Sequence, residues 1–352
     1  MPEDAIAAEV ELDVVGVDSA AAAGGASGLS PGRLALRRLR RDRNALIFGA
    51  IFLLLVAACI AAPLWSKHVA HRGPDDQPSS SETVTIDGEE VPILGEFSGP
   101  NAGVPIGPTW QGEYFLGADS RGRDVMVRLL YGGRNSLMIG ITAAVVTILF
   151  GLFLGIISGF LRGITDTFVT RGMDIIWAYP AVLLGIALGT AFALGGLQIG
   201  PITIAGDSLI LPVLIISVIY VPYFARPLRG QVLAMREREF VEAARAQGMG
   251  SFRIMRTEVL PNLYSTALVF FPLLVANAIL LESALSFLGA GVRPPNPSWG
   301  TMIDEGVSRI ITAPYLAIVP GLMVVLTVLS LNVFGEGVRD ALDPRGKLRL
   351  KT

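Results

Sequence analysis

The sequence predicts an all-α integral membrane protein with six transmembrane helices and a long extracytoplasmic loop between the first two. Hydrophobic residues make up 52% of the 352 residues and charged residues only 16%, against about 25% charged residues in a typical globular domain. The mean hydropathy is +0.57. Six long stretches are almost free of charge. One such stretch fits a buried helix of a soluble protein, but six in one chain indicate a membrane.

A helix needs about 20 apolar residues to cross the hydrocarbon core of a bilayer, and each stretch is close to this length or longer. Because lipid offers no hydrogen-bond partner to the backbone, we expect all six to be helices. The predicted spans are 45–64, 136–161, 175–194, 208–225, 263–287 (interrupted by one glutamate) and 315–334.

The basic residues predict that both termini are cytoplasmic. Twenty of the 28 lysines and arginines lie before the first span, in the loops 162–174 and 226–262, or after the last span. Cytoplasmic loops carry such an excess, whereas long loops translocate largely regardless of charge. The short loops on the other side hold only Arg293 and Arg309. The arginine cluster before the first span favours a signal anchor over a cleaved signal peptide.

Composition divides the chain into five parts. Residues 1–32 contain six acidic residues and no basic one, which predicts a disordered acidic cytoplasmic tail. Residues 33–64 form a basic segment and the first span, and residues 65–135 the extracytoplasmic loop. Residues 136–335 form the transmembrane core, which includes a cytoplasmic loop at 226–262, and residues 336–352 form a basic cytoplasmic tail.

The first loop carries two local patterns. Residues 83–91 predict a small hairpin, because Asp87-Gly88 suits a two-residue turn with positive φ. The apolar residues from Val125 to Leu130 predict a short amphipathic helix, which either lies along the membrane surface or packs on the ends of the spans.

The sequence contains no recognisable catalytic or metal-binding motif. It lacks a phosphate-binding loop, so we do not expect this chain to bind and hydrolyse ATP. Asp119 and Asp124 flank Arg121 and Arg123, which favours surface salt bridges over a pair of catalytic carboxylates. Cys59 is the only cysteine; we interpret it as inert packing in an apolar helix, and a single cysteine excludes an intrachain disulfide.

Two features inside the spans predict packing or transport. Gly151, Gly155 and Gly159 share one helical stripe, and such stripes let two helix backbones approach closely. Glu282 lies within the fifth span, where a carboxylate costs a few kcal/mol unless it faces protein or water. Glu282 therefore either lines a translocation path or is a hydrogen-bonded polar group inside the bundle.

The cytoplasmic loop at 226–262 carries the most informative pattern. Its apolar residues with near-helical spacing are Leu233, Phe240, Val241 and Ala244. We expect this helix to end at Gly248 and Gly250, Ser251 to cap a second short helix, and Pro261 to lie in the first turn of the next span. The two helices either pass motion from a soluble motor to the spans or form a solvated amphipathic connector.

This loop resembles the EAA loop of ABC importer permeases. The matching residues are Glu242-Ala243-Ala244, Gly248 and Leu260-Pro261. Residues 117–137, 282–303 and 339–345 are similar to segments of the C-type permease of dipeptide and oligopeptide importers, the OppC/DppC class. The resemblance implies the fold of a type I importer permease in a bacterial cytoplasmic membrane. It also implies ATPase-coupling residues, which would be Glu239, Glu242, Ala243, Ala244, Gly248, Leu260 and Pro261.

The resemblance further implies the partners of this chain. These are a second homologous permease, one or two ABC ATPase subunits that bind ATP and Mg²⁺, and an extracytoplasmic substrate-binding protein. The permease itself would bind no cofactor and catalyse no reaction. The outer-loop residues near the docked binding protein would be Gly291, Pro294, Pro295, Pro297 and Trp299.

The sequence therefore predicts a permease subunit for di- or oligopeptides, and three alternatives stay open. A permease of the same family can carry nickel or another small solute. An ion-coupled secondary transporter would use Glu282 to bind a proton or sodium, and a membrane scaffold or receptor would bind partners without transport.

Overall fold

The computed structural model describes residues 31–79, 82–86, 88–95 and 104–342. The helices are α1 (Pro31–Leu39), α2 (Arg43–Ile60), α3 (Ala62–His68), α4 (Val125–Leu161), α5 (Gly163–Trp177), α6 (Ala181–Ala191), α7 (Ile210–Met235), α8 (Glu239–Ala246), α9 (Ser251–Ile254), α10 (Leu260–Phe287), α11 (Trp299–Val307) and α12 (Tyr315–Leu342). A π-helix, Met255–Val259, joins α9 to α10. The strands are β1 (Thr83–Ile86), β2 (Glu89–Pro92), β3 (Leu197–Ile199) and β4 (Ile202–Ile204). Nearly all of the predicted acidic tail and the last ten residues of the predicted basic tail lie outside the described residues.

Five helices of the described chain are long and apolar enough to cross a membrane, and α5 with α6 forms a sixth if the bent pair is one span. The five are α2, α4, α7, α12 and the continuous helix Ser251–Phe287. The sequence-based expectation of an all-α membrane protein is confirmed.

The third predicted span is not one straight helix. α5 and α6 meet at an angle of 89°. The break falls at Pro180, whose backbone is extended (φ −57°, ψ 130°) where α6 begins. Proline disfavours the helical conformation in the residue before it and donates no backbone N–H. The apolar content of residues 175–194 therefore predicted the membrane location but not the bend.

The predicted surface helix at Val125–Leu130 is wrong, because these residues are the first turns of α4. α4 has 37 residues and spans about 55 Å, well beyond the thickness of a bilayer core. Val125 and Val127 are fully buried, and the Asp124 carboxylate accepts a hydrogen bond from the Val127 N–H at 3.0 Å. These apolar residues continue α4 to the first loop, where Arg128 contacts Pro74 and Asp75.

α4 and α7 approach closely along the glycine stripe, as predicted. A methyl group on Gly159 would lie 2.9 Å from the Arg229 carbonyl oxygen and 2.8 Å from the Val232 Cβ. At Gly155 it would lie 3.0 Å from the Ala225 carbonyl oxygen. These contacts leave no room for a side chain, so the stripe sets the distance between the two helices.

The described part of the first loop forms a layer on the end of the bundle where α4 begins, called here the first-loop end. β1 and β2 pair antiparallel with Ile86 opposite Glu89, and Gly88 has φ +90°, which confirms the predicted hairpin; Asp87 lies outside the described residues. The loop is attached to α12, because the Tyr315 hydroxyl donates to the Ala118 carbonyl oxygen at 2.9 Å. A second hairpin, β3–β4, lies between α6 and α7 and was not predicted.

Candidate functional site

The loop at 226–262 forms a compact projection at the opposite end of the bundle, called here the coupling end. α7 runs through Met235, so Leu233 belongs to the span and not to the predicted loop helix. Arg238 is extended (φ −89°, ψ 149°) and separates α7 from the eight-residue α8. Gly248 has φ +80°, the left-handed conformation that glycine adopts without strain. The predicted glycine bend is confirmed, but the predicted helix is shorter.

The return from α8 differs from the two-helix prediction. Gly250, not Ser251, occupies the N-cap position of α9, and it has no side chain with which to cap. α9, the π-helix and α10 form one continuous helix, Ser251–Phe287. Pro261 is the second residue of α10, as predicted. A wider π-turn directly before a proline relieves the clash that its ring makes with the preceding turn.

α8 presents two distinct faces. Val241 is 0% exposed and Ala244 is 4% exposed, and both belong to the apolar core of the bundle. The outward face carries the exposed residues Glu239, Glu242 and Ala243. The small side chain of Ala244 therefore allows α8 to seat closely on the bundle, so Ala244 is the member of the predicted ATPase-coupling set that lies on the buried face of α8.

Ionic and aromatic contacts hold α8 on the end of α4. The guanidinium of Arg245 lies 5.6 Å from the centre of the buried Phe160 ring, and that of Arg236 lies 5.9 Å from it. A cation over an aromatic face is attracted by the ring quadrupole. Glu237, in the turn before α8, is 3.4 Å from Arg162 at the end of α4. These contacts attach α8 and the turn before it to the end of α4.

The remaining predicted coupling residues lie at the base of this projection. Gly248 is exposed at the bend, Pro261 is exposed on α10, and Leu260 is half-buried. Leu260 packs against the core. The structure thus brings the predicted residues into one projection, but it divides them between an outward face and a supporting base.

Glu282 is fully buried in the bundle. Its carboxylate accepts a hydrogen bond from the Ser286 hydroxyl at 2.7 Å, and the hydroxyls of Ser136 and Ser298 interact with the same group. α4, α10 and the residue that caps α11 therefore meet at one carboxylate. Of the two alternatives that the sequence left open, this geometry supports the hydrogen-bonded group inside the bundle.

The predicted outer loop divides into exposed and buried residues. Pro294 and Pro295 are exposed, whereas Pro297 is buried and Gly291 half-buried. Trp299 is 1% exposed, and its indole N–H donates to the Leu129 carbonyl oxygen at 3.1 Å. The prediction that Trp299 lies on a contact surface is wrong, since its ring fills the space between α4 and α11.

A buried ionic network joins the first loop to α11. Arg123 Nε lies 2.6 Å from Asp119 Oδ2, and Arg123 Nη2 lies 2.7 Å from Glu305 Oε2. Arg128 lies 3.4 Å from the same Glu305 oxygen. The predicted Asp119–Arg123 pairing is confirmed, but it is buried and not on the surface. The sequence offered no signal for Glu305, which lies 182 positions after Arg123.

Asp124 has a different role from the one predicted. Its carboxylate accepts hydrogen bonds from the backbone N–H groups of Tyr114 at 2.8 Å and Val127 at 3.0 Å. It pairs with no cation within the described residues, and its burial raises the pKa of the Asp124 carboxyl. Asp124 thus caps α4 and does not form a surface salt bridge.

Two large cavities open on opposite ends of the described bundle. One, of about 650 Å³, lies between α7, α10 and α12 toward the coupling end, and its polar lining includes Gln231, Thr266 and Asn332. The other, of about 710 Å³, lies among the loops at the first-loop end. Within the described ranges, no group of histidine, cysteine or acidic side chains is arranged to hold a metal ion.

Two family models match this chain. Residues 151–347 match the model of the binding-protein-dependent transport system inner membrane component. Residues 30–79 match the N-terminal transmembrane domain of oligopeptide transport permease C. The first match contains the last third of α4 and every later helix, including the coupling end, and the second contains α1, α2 and α3.

Curated relatives agree with this assignment. The dipeptide transport system permease protein DppC of Alkalihalophilus pseudofirmus is 33% identical over 91% of this chain and 91% of its own. The glutathione transport system permease protein GsiD of Pectobacterium atrosepticum is 37% identical over 66% of this chain and 73% of its own. The inward-facing MetNI methionine ABC transporter aligns with a TM-score of 0.47 and 18% identity over 61% of this chain and 97% of that chain. The chain belongs to the family of binding-protein-dependent transport system inner membrane components and carries an N-terminal transmembrane domain of the oligopeptide permease C type.

Proposed function

We propose that this chain is the permease subunit of an ATP-driven importer of di- or oligopeptides. Relatives over nearly the full chain are peptide permeases by name, which supports the substrate class. The partners would be a second homologous permease, one or two ABC ATPase subunits and an extracytoplasmic substrate-binding protein. ATP and Mg²⁺ would be bound by the ATPase subunits, and this chain would catalyse no covalent reaction.

The main support for this proposal is the way in which α8 packs on the bundle, with one face buried and the other exposed. Its inner face is buried through Val241 and Ala244, whereas Glu239, Glu242 and Ala243 face outward. A short helix that is held firmly on one face and free on the other can receive force from a soluble partner. In this mechanism, ATP binding closes the ATPase pair, α8 moves with it, and the attached spans tilt between inward-open and outward-open states.

Substitutions on the outward face of α8 test this coupling role. Glu242→Lys reverses an exposed charge without touching the core, so we expect the chain to insert and assemble while ATP hydrolysis no longer drives uptake. Gly248→Pro should have the same effect, because proline cannot adopt φ +80°. The measurement is peptide uptake per ATP hydrolysed in vesicles that contain the full complex.

Asp340→Lys provides the matched control, since Asp340 is also an exposed acidic residue and lies in the last turns of α12. Its uptake per ATP should match that of the unmodified chain. Uptake per ATP that stays unchanged in both Glu242→Lys and Gly248→Pro would refute the coupling role.

We also propose that the coupling end faces the cytoplasm and the first-loop end faces outward. Cys59 is the only cysteine and is buried, so single introduced cysteines report on their own side. Trp110→Cys, in the first loop, should react with a membrane-impermeant maleimide in intact cells. Glu242→Cys should react only after permeabilisation, and the reverse pattern would invert the topology.

A further inference from the structure

We propose that the cavity at the first-loop end is a binding site for the two charged termini of a free peptide, a station that substrate occupies on its way into the bundle. This inference deepens the proposed function and rests on it. The site would take a zwitterionic ligand that carries one ammonium and one carboxylate group.

The cavity is built by four separate segments of the chain. Its volume is about 710 Å³, within the range of about 300–1,000 Å³ that small-molecule sites occupy. The walls come from the first loop, the segment that carries the β3–β4 hairpin, the turn after α10, and the first turns of α11. The fold brings these four segments together at this end of the bundle, so a ligand in the cavity would contact all four.

Four charged side chains line the cavity and have no ionic partner among the described residues. They are Arg121, Arg293, Asp207 and Asp304. Within the described part of the chain, none lies within 4 Å of an opposite charge. Glu305, which also reaches the wall, is already held by Arg123 and Arg128. The unpaired charges are therefore two cations and two anions, and the lining is balanced.

Of these four groups, Arg293 is the one best placed to bind a carboxylate. It is half-buried, and its only side-chain hydrogen bond within the described ranges is a long one, from Nη1 to the Ala193 carbonyl oxygen at 3.4 Å. This contact ties the turn after α10 to the segment that ends in Asp207, and it leaves most of the guanidinium donors free. A guanidinium fork matches a carboxylate with two parallel hydrogen bonds.

The charge balance selects the class of ligand. An anion would meet unpaired carboxylates and a cation would meet unpaired guanidinium groups, whereas a zwitterion satisfies both kinds of charge at once. Charges that line a concave surface also concentrate the field and raise the local concentration of a complementary solute. The serine and threonine on the wall, Ser286 and Thr301, are engaged in hydrogen bonds of the fold, so the charged groups supply the recognition.

The test compares a free peptide with its C-terminal amide, both first shown to bind the isolated binding protein. The double variant Arg121→Gln/Arg293→Gln is assembled into the complete importer, and uptake of both peptides is measured. We expect the free-to-amide ratio of uptake rates to fall about ten-fold, the equivalent of one lost charge-assisted hydrogen bond. Asp207→Asn/Asp304→Asn should lower the ratio of free to N-acetylated peptide in the same way.

Arg309→Gln is the control, because Arg309 lies in the turn after α11 and does not line the cavity; its ratios should stay within about two-fold of the unmodified chain. Equal loss of both peptides in the double variants would overturn the inference and indicate a structural role. Unchanged ratios would overturn it as well, while uptake by the unmodified complex leaves the proposed function standing. Absence of any ATP-driven peptide uptake by the unmodified complex would overturn both.

A photoreactive free peptide gives an independent measurement. During turnover of the unmodified complex, we expect it to label residues 193–207 or 289–304, and an excess of unlabelled free peptide should prevent this labelling. Uptake without labelling in these segments would overturn the inference alone.

Discussion

At the first-loop end, a single side chain can pack against several helices at once. Trp299 begins α11, is buried against α4, and satisfies its indole N–H with the Leu129 carbonyl oxygen. A methyl group on Gly133 would lie 2.6 Å from the Trp299 ring and 2.5 Å from the Cys59 sulfur. The ring therefore fills a space that three helices share, and the thiol serves as packing, as the sequence predicted.

Trp299→Ala should destabilise the protein strongly. Deletion of a buried aromatic side chain leaves a cavity and costs about 3–5 kcal/mol. Trp110→Ala removes the same side chain from a position that is 68% exposed, where it forms an edge contact with Phe115 at 5.4 Å; we expect less than about 1.5 kcal/mol there. Thermal unfolding in detergent measures both. Equal losses of stability in the two variants would show that burial of the tryptophan does not determine the cost of its removal.

The first loop should lose stability in acid through Glu82. Its hydrogen bond with Arg72 holds the pKa of the Glu82 carboxyl below its ordinary value of 4.5. Because the folded-state pKa is lowered, the stabilisation is fully present above about pH 4.5 and is lost as the pH falls through the folded value. Arg72 also covers the buried Tyr114 ring at 5.0 Å, so the pair supports the core of the loop.

Thermal melts recorded between about pH 6 and pH 3.5 measure the unfolding of the loop and test this dependence. The Glu82→Gln variant should melt at a lower temperature than the unmodified chain at neutral pH, and its melting temperature should depend less on acid. Glu89→Gln is the control, because Glu89 is exposed and forms no ion pair within the described residues. If the loop of the Glu82→Gln variant is as sensitive to acid as that of the unmodified chain, a group other than Glu82 causes the sensitivity.

At the scale of elements, the contact between α4 and α7 is set by the absence of side chains. A Cβ at Gly159 would approach backbone and side-chain atoms of α7 at less than 3.0 Å. A glycine in a helix otherwise costs about 1 kcal/mol relative to alanine. The bundle thus gives up intrinsic helix stability in exchange for close packing.

Two alanine substitutions with the same chemistry should have opposite effects. Gly159→Ala forces α4 and α7 apart and should destabilise the protein by about 1–3 kcal/mol. Gly172→Ala, on the exposed face of α5 with open space around its Cβ, should be neutral or stabilising by up to about 1 kcal/mol. Thermal unfolding of the two variants decides, and a gain in stability for Gly159→Ala would refute the close contact.

The sequence predicted the elements better than their ends. Hydropathy located the spans, and Asp-Gly located the hairpin, because both signals are local. It could not show that α4 begins at Val125 or that α7 continues through Met235, because packing against other helices determines those ends. The division of α8 into a buried and an exposed face also depends on the bundle: a helix of eight residues has too few turns for its pattern to identify a core.

At the scale of the whole molecule, the buried ionic network joins parts of the chain that are remote in sequence. The side chains of Arg123 and Arg128 are 6% and 3% exposed, and both reach Glu305 on α11. Asp119 also pairs with Arg123, and Asp75 with Arg128. Buried cations need such partners, since an uncompensated charge in a protein interior is costly. The network therefore links the first loop, α4 and α11, and we expect the three to behave as one unit.

Glu305→Gln should loosen this unit without unfolding the spans. It leaves two buried guanidinium groups with less compensation, and because Glu305 is 31% exposed, solvent reduces the cost to about 1–3 kcal/mol. We expect faster hydrogen exchange in residues 104–124 and unchanged exchange in the middle of α7. Asp304→Asn changes the neighbouring exposed carboxylate, which has no ion pair within the described residues, and should stay within about 0.5 kcal/mol of the unmodified chain. If the two variants exchange alike, the first loop is held by its apolar core and the Tyr315 contacts, and the ionic network does not couple it to α11.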